Sequence, residues 1–141
     1  MVHDLGVAPY PFADASVDEV YSSHVVEHVP DLILFMNEVH RILKPGGEVE
    51  IRHPYAMSKR AFQDPTHVRF IPEETWAYFS KAWRVANGLD HYPITADFDV
   101  LVISGDGMDA TFAQRNQESL EFARRHYWNV IADLVVRLKK R

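Results

Sequence analysis

The chain has 141 residues, of which 47% are hydrophobic and 25% charged, and its formal net charge is -5. This length and composition predict a single globular domain over residues 1–141. The acidic balance excludes a general nucleic-acid or membrane-surface binder, and no apolar run reaches the roughly 18 residues that span a bilayer. The sequence has no cysteine, which excludes disulfides and thiolate metal sites and is typical of a cytoplasmic protein.

The first third of the chain predicts a strand, a helix and a second strand. Val17, Val20 and Tyr21 begin a buried strand that ends near Ser22 or Ser23. Asp31 is a suitable N-cap for a helix whose apolar residues recur at three- and four-residue spacing until Pro45, Gly46 and Gly47 end it. The next strand, EVEIRHP, closes at Pro54. Such a β-α-β unit implies a parallel sheet, so the predicted fold class is α/β.

The remainder is less regular. Residues 55–71 have no periodicity and predict a long loop. IPEETWAYFSKAW predicts one helix with a packed aromatic stripe of Trp76, Phe79 and Trp83. DFDVLVIS predicts a buried strand, SGDGMDA a turn, NQESLEFARRH a helix and NVIADLVVRL a final strand.

The stretch SSHVVEHVPD contains His24, Glu27 and His28 in the order H-x-x-E-H. This order occurs in zinc peptidases, where both histidines lie on one face of a helix. Here a strand precedes the first histidine and Pro30 follows the second, so a helix there would be interrupted within about two turns. We therefore rank a zinc hydrolase third, after the two functional hypotheses given below.

The stretch YPFADASVDEVYSSHVVEHVPDLILFMNEVHRILKPGGEVEI, residues 10–51, resembles the middle of class I S-adenosylmethionine-dependent methyltransferases. Those enzymes have an L-P-F-P-D-N-S-F-D stretch, a strand, L-E-H-V, a helix and L-K-P-G-G. The segment DPTHVRFIPEETWAYF, residues 64–79, resembles the region after strand five in some bacterial and phage members. The resemblance implies a partial Rossmann-like fold with a mixed sheet of about four strands and S-adenosylmethionine as the cofactor.

The resemblance also implies roles for individual residues. Asp4 is the candidate contact for the cofactor's adenine, and Ser22, Ser23 and His24 would lie beside its methionine part and the transferred methyl group. In ubiquinone-type O-methyltransferases a similar stretch can hold a divalent metal ion, which makes His24, Glu27 and His28 weak metal candidates. The alternative is that Glu27 and His28 hydrogen-bond the backbone where the strand ends.

Asp64, His67 and Arg69 are close enough in sequence to converge. By resemblance they lie near the methyl acceptor, where they would bind substrate, and His24 or His67 would be the catalytic base that removes a proton. The alternative is a hydrogen-bonded network that holds the loop together, because Asp-Pro-Thr-His also forms a turn.

The sequence lacks the family's glycine-rich G-x-G-x-G turn and its acidic ribose ligand. It therefore resembles a truncated methyltransferase acting on a small molecule or saccharide, which we expect to be inactive alone. The second hypothesis is a non-catalytic module for oligomerisation or partner binding. In either case the strand containing Tyr21 would be a bare apolar edge. We expect a homodimer or higher oligomer, or a partner that supplies the missing strands.

Overall fold

The computed structural model describes residues 3–141. Four strands are present: β1 (Val17–Ser23), β2 (Leu43–Pro54), β3 (Phe98–Asp106) and β4 (Asp133–Lys140). The helices are α1 (Leu32–Ile42), α2 (Lys59–Gln63), α3 (Lys81–Ala86) and α4 (Gln117–His126), with a 3-10 helix over Glu73–Phe79. The strands form one sheet in the order β1-β2-β4-β3. The predicted mixed four-stranded α/β fold is confirmed.

Helix α1 follows the sequence prediction closely. The Asp31 side chain accepts a hydrogen bond from the Leu34 N–H at 3.0 Å, so it caps the helix as expected. The apolar face contributes to the core, with Met36 completely buried and Phe35 and Val39 nearly so. Burial of this stripe against the sheet is what holds a helix of only 11 residues in place.

The strand register shows which strand ends lie together in the sheet. β1 pairs with β2 in parallel, with Ser22 opposite Ile51 and Ser23 opposite Arg52. β4 pairs antiparallel with β2, so its first residue, Asp133, lies opposite Pro54. The carboxyl ends of β1 and β2 and the amino end of β4 therefore meet at one edge. Crevices beyond the carboxyl ends of parallel strands are where α/β proteins bind ligands.

Two predictions for the middle of the chain are wrong in detail. The loop over residues 55–71 contains the short helix α2, which Ser58 caps through its Oγ. The helix predicted from IPEETWAYFSKAW is divided into the 3-10 helix and α3 by extended backbone at Ser80. The side chain of Arg84 holds this region together, because it donates to the carbonyls of residues 78, 94 and 96. Trp76 and Phe79 are core residues as expected.

Strand β3 is not the buried strand that its sequence predicts. Its central residues Val100, Leu101 and Val102 are 38 to 46% exposed. The reason is topological: β4 lies between β2 and β3, so β3 is an outer strand of the sheet. The strand propensity of a sequence does not distinguish a central strand from an edge strand.

Candidate functional site

The end of β1 forms one wall of a large cavity. Ser22 and Ser23 line a space of about 470 Å³ together with apolar side chains of α1 and the N-terminal segment. Ser22 is 6% exposed, and its Oγ has no hydrogen-bond partner among residues 3–141. A buried hydroxyl without a partner is costly unless a ligand or water satisfies it. The strand end can therefore accept a polar ligand group.

His24 occupies the turn at which the chain leaves the sheet. Its φ of 53° is in the left-handed region, which is uncommon for a residue with a side chain and occurs often at functional sites. The N–H of His24 still donates to the carbonyl of Arg52 at 2.9 Å. The imidazole lies between two buried carboxylates: Nδ1 is 3.3 Å from Glu27 Oε1, and Nε2 is 3.6 Å from Asp133 Oδ2.

Asp133 is a residue that the sequence analysis missed. It is 2% exposed, and Arg60 donates to its Oδ2 at 2.6 Å. The Arg52 guanidinium lies 3.8 Å from the same oxygen. An acidic residue inside the apolar run NVIADLVVRL was the signal that could have identified it, because buried carboxylates are rare unless they have a partner.

The structure brings Asp64 and His67 together and places Arg69 elsewhere. Asp64 accepts hydrogen bonds from the N–H and Oγ1 of Thr66, and these bonds hold the pKa of its carboxyl below the usual value. His67 Nε2 is 4.0 Å from Asp64 Oδ2. Arg69 instead donates to the carbonyls of Val29 and Pro30. Its guanidinium therefore holds the loop against the start of α1, which agrees with the alternative that this motif forms a hydrogen-bonded network in the loop.

A second cavity lies beside the strand ends. It has a volume of about 200 Å³, and its lining includes the predicted site residues His24, Glu27, His28, Asp64 and His67. Residues separated in sequence thus share one small polar space. Asp4 lies outside it: its Oδ1 accepts from the Gly6 N–H at 2.8 Å and stabilises an exposed turn.

The H-x-x-E-H stretch is a turn between β1 and α1 and not a helix. His28 Nδ1 lies 3.3 Å from the Thr66 carbonyl, as the backbone-bonding alternative expected. Glu27 does not follow that alternative, because both of its carboxylate oxygens are buried without a hydrogen-bond partner among the described residues.

Solved structures with the same fold include two methyltransferases. A methyltransferase from Archaeoglobus fulgidus matches with a TM-score of 0.63 at 20% identity, covering 92% of this chain and 62% of that one. A Haloferax volcanii putative methyltransferase, solved in complex with the activator Trm112, gives a TM-score of 0.59 at 18% identity, covering 99% and 60%. The chain has the Rossmann-like fold of S-adenosylmethionine-dependent methyltransferases.

The sequence comparisons agree with the fold. Residues 3–51 match the family described as "Methyltransferase domain". The chain is 35% identical over 91 residues to a dimethylglycine N-methyltransferase of Parasynechococcus marenigrum, and 33% identical over 97 residues to a malonyl-[acyl-carrier protein] O-methyltransferase of Pseudescherichia vulneris. These alignments cover 62% and 63% of this chain but only 32% and 38% of the relatives. The chain therefore resembles class I S-adenosylmethionine-dependent methyltransferases in sequence and in fold, and the predicted resemblance is confirmed.

The cofactor implied by this resemblance is S-adenosylmethionine. The unpartnered Ser22 Oγ, on the wall of a cavity of about 470 Å³, suits the polar methionine part of such a ligand. The sequence contains no G-x-G-x-G turn. Among residues 3–141, no helix has both the length and the hydropathy for crossing a bilayer.

Proposed function

We propose that this chain takes part in methyl transfer from S-adenosylmethionine to a small molecule or saccharide. The observation that carries the proposal is that His24, just after β1, and His67, in the loop after α2, line one cavity of about 200 Å³. Ser22 and Ser23, the last residues of β1, line a separate, larger cavity of about 470 Å³. The cofactor and the acceptor would thus approach the same edge of the sheet from two sides.

The chemistry that S-adenosylmethionine supplies when bound is an electrophilic methyl group. The protein's own part is to align the acceptor and to remove one proton. His24 is the first candidate for this base because its side chain lines the cavity, with Nε2 3.6 Å from Asp133 Oδ2. His67 is the second candidate: its Nδ1 donates to the Ala61 carbonyl at 2.7 Å, which leaves Nε2 with a free lone pair.

We further propose that the 141-residue chain is inactive without another polypeptide segment, because the glycine-rich turn that grips the cofactor is absent from its sequence. The test compares the chain with a chimera in which the segment that precedes the aligned region in the Parasynechococcus marenigrum relative is fused to its N-terminus. Both are incubated with S-adenosylmethionine and a panel of hydroxyl and amine acceptors, and the demethylated cofactor is measured. Product is expected from the chimera alone.

Histidine variants of the chimera test the assigned roles. Replacing the catalytic base is expected to reduce turnover by about 10² to 10⁴-fold. His24→Ala and His67→Ala are compared with His91→Ala, which changes an exposed histidine that does not line the cavity. Unchanged turnover in both cavity variants would contradict the proposed chemistry. Turnover by the unmodified chain would contradict its inactivity alone.

A second candidate function is partner binding or self-association through β1. This strand is at the edge of the sheet, and its Tyr21 is 66% exposed beside the apolar cavity. Unpaired strand edges favour association. The Haloferax volcanii structural neighbour was solved in complex with the activator Trm112, which supports partner binding as a role for such folds. Light scattering tests self-association: a homodimer or larger oligomer is expected, and a monomer at micromolar concentration would contradict it.

A further inference from the structure

Three side chains in the smaller cavity present metal-binding atoms to one another. Glu27 and His28 come from the turn after β1, and His67 comes from the loop after α2. One ligand atom of each lies within 4.8 Å of the other two. The loop is fixed against the turn, because the Val68 N–H donates to the Glu27 carbonyl at 2.9 Å. The cluster is therefore assembled by the fold and does not depend on sequence adjacency alone.

The Glu27 carboxylate is the first sign of a ligand. Glu27 is 2% exposed, and neither side-chain oxygen has a hydrogen-bond partner among the described residues. His24 Nδ1 lies 3.3 Å from Oε1. A buried carboxylate that accepts no hydrogen bonds is strongly unfavourable unless it binds a cation. Within the described residues, Glu27 has the characteristics of a ligand rather than of a packing residue.

The two histidines are held in the tautomer that metal binding requires. His67 Nδ1 lies 2.7 Å from the Ala61 carbonyl, which can only accept, so Nδ1 carries the proton. His28 Nδ1 contacts the Thr66 carbonyl at 3.3 Å and Thr66 Oγ1 at 3.1 Å. That hydroxyl gives its own proton to Asp64 Oδ1, so it accepts from His28. Both Nε2 atoms therefore have free lone pairs.

These hydrogen bonds are the kind that surround metal-binding histidines. A ligating imidazole almost always donates its other N–H to a carbonyl or carboxylate, which fixes the ring and raises its basicity. Here a carbonyl performs this function for His67, and Thr66, itself bonded to Asp64, performs it for His28. The hydrogen bonds that orient metal-binding histidines are thus already present around the two nitrogen ligands.

We propose that Glu27, His28 and His67 bind one divalent transition-metal ion of the Zn²⁺ type. Two imidazole nitrogens and a carboxylate oxygen are a ligand set that zinc accepts in open, three-residue sites. Ligands of one tetrahedral ion are roughly 3.3 Å apart, given bonds of about 2.0 Å. The observed separations of up to 4.8 Å must therefore shrink on binding. His28 is the exposed member of the cluster, so its side chain would move to close the site, together with the Thr66 loop that holds its Nδ1.

The site differs from the H-x-x-E-H interpretation in its third ligand. His24 is directed to Glu27 and Asp133, whereas His67, from a distant part of the chain, completes the cluster. A fourth coordination position would face the cavity. There the ion would polarise an acceptor oxygen and leave His24 as the base. This last role rests on the proposed function, but the binding of the ion does not.

The test is calorimetric titration of the metal-free 141-residue chain with Zn²⁺, together with the visible spectrum of the Co²⁺ form. One equivalent is expected to bind, and the Co²⁺ spectrum is expected to show tetrahedral nitrogen and oxygen coordination. His67→Ala and Glu27→Gln are expected to weaken binding at least about 100-fold. His91→Ala, the matched control on the exposed surface, is expected to bind like the parent chain.

The result that overturns the proposal is absence of stoichiometric Zn²⁺ binding, or equal binding by the parent and the His67→Ala variant. Loss of binding in His24→Ala with retention in His67→Ala would also overturn it, in favour of the sequence-adjacent triad. If His67→Ala failed to fold, as judged by circular dichroism, His28→Ala gives the same comparison at an exposed position. Because no readout depends on turnover, failure of the methyltransferase proposal would leave these outcomes unchanged.

Discussion

His53 makes the stability of the fold depend on pH in a way that can be calculated. The residue is completely buried in β2. Its Nδ1 lies 2.8 Å from the Pro54 carbonyl, and Trp76 Nε1 donates to its Nε2 at 3.2 Å. The proton on Nδ1 and the acceptor role of Nε2 define a neutral imidazole. Burial lowers the pKa of His53 from 6.5 to about 4.

The sign of the effect follows from proton linkage. Below pH 6.5 the unfolded chain binds a proton at His53 that the folded chain does not bind until about pH 4. Unfolding is therefore favoured progressively as the pH falls through this window, and the full stability is present above it. With these two pKa values, the free energy of unfolding at pH 5 is lower than at pH 7 by about 2 kcal/mol from this residue alone.

The assay is urea unfolding followed by tryptophan fluorescence at pH 7 and pH 5, for the parent chain and His53→Gln. Glutamine can still accept from Trp76, but it has no proton equilibrium in this range. The variant is expected to lose about 2 kcal/mol less than the parent between the two pH values. All other titrating groups are common to both proteins, so they cancel in this difference. An equal loss in the two proteins would refute the reasoning.

Three further predictions concern the elements that position the site. Asp31→Ala removes the cap of α1 and should lower the unfolding free energy by about 1 kcal/mol in urea titration, while Asp31→Ser should retain most of it; equal losses would contradict the capping role. Gly47→Ala places a methyl group 2.8 Å from the Asp18 carbonyl oxygen. It should lower the free energy of unfolding by about 1 to 3 kcal/mol in the same urea titration, and an unchanged urea midpoint would contradict this steric conflict. Met36→Ala should lower the free energy of unfolding by about 2 to 5 kcal/mol because Met36 is completely buried. Met36→Leu should lower it by less than about 1.5 kcal/mol. Similar losses in the two variants would argue against tight packing at this position.

The sequence was sufficient for the elements whose signals are local. β1, α1 and β2 were predicted because an N-cap, a helical apolar period and a Pro-Gly-Gly stop occur within one continuous stretch. The exposure of β3 was not predictable in this way, because it depends on β4 pairing between β2 and β3. The break at Ser80 was missed for a similar reason: Asp97, distant in sequence, accepts from the Lys81 N–H where α3 begins.

The sequence identified many residues of the site but not which of them lie together in the fold. His24, Glu27 and His28 were identified by their spacing, and Asp64 and His67 by their motif. That His67 and Glu27 share a cavity depends on the loop after α2 folding back on the turn after β1. Asp133 and Arg60 could not be paired from sequence, since the antiparallel return of β4 brings them together. Arg69 contacts the carbonyls of Val29 and Pro30 just before α1, a pairing that no local sequence signal indicates.

The cofactor assignment can be tested by titrating the isotopically labelled chain with S-adenosylmethionine and following the backbone amide resonances by NMR. Since we propose that the end of β1 forms only part of the cofactor site, we expect saturable binding in the millimolar range, about -4 kcal/mol. The amide shifts should change at Ser22, Ser23 and His24, and should remain unchanged at Val102 on the opposite edge of the sheet. Unchanged resonances at the end of β1, or saturable changes confined to β3, would contradict the account.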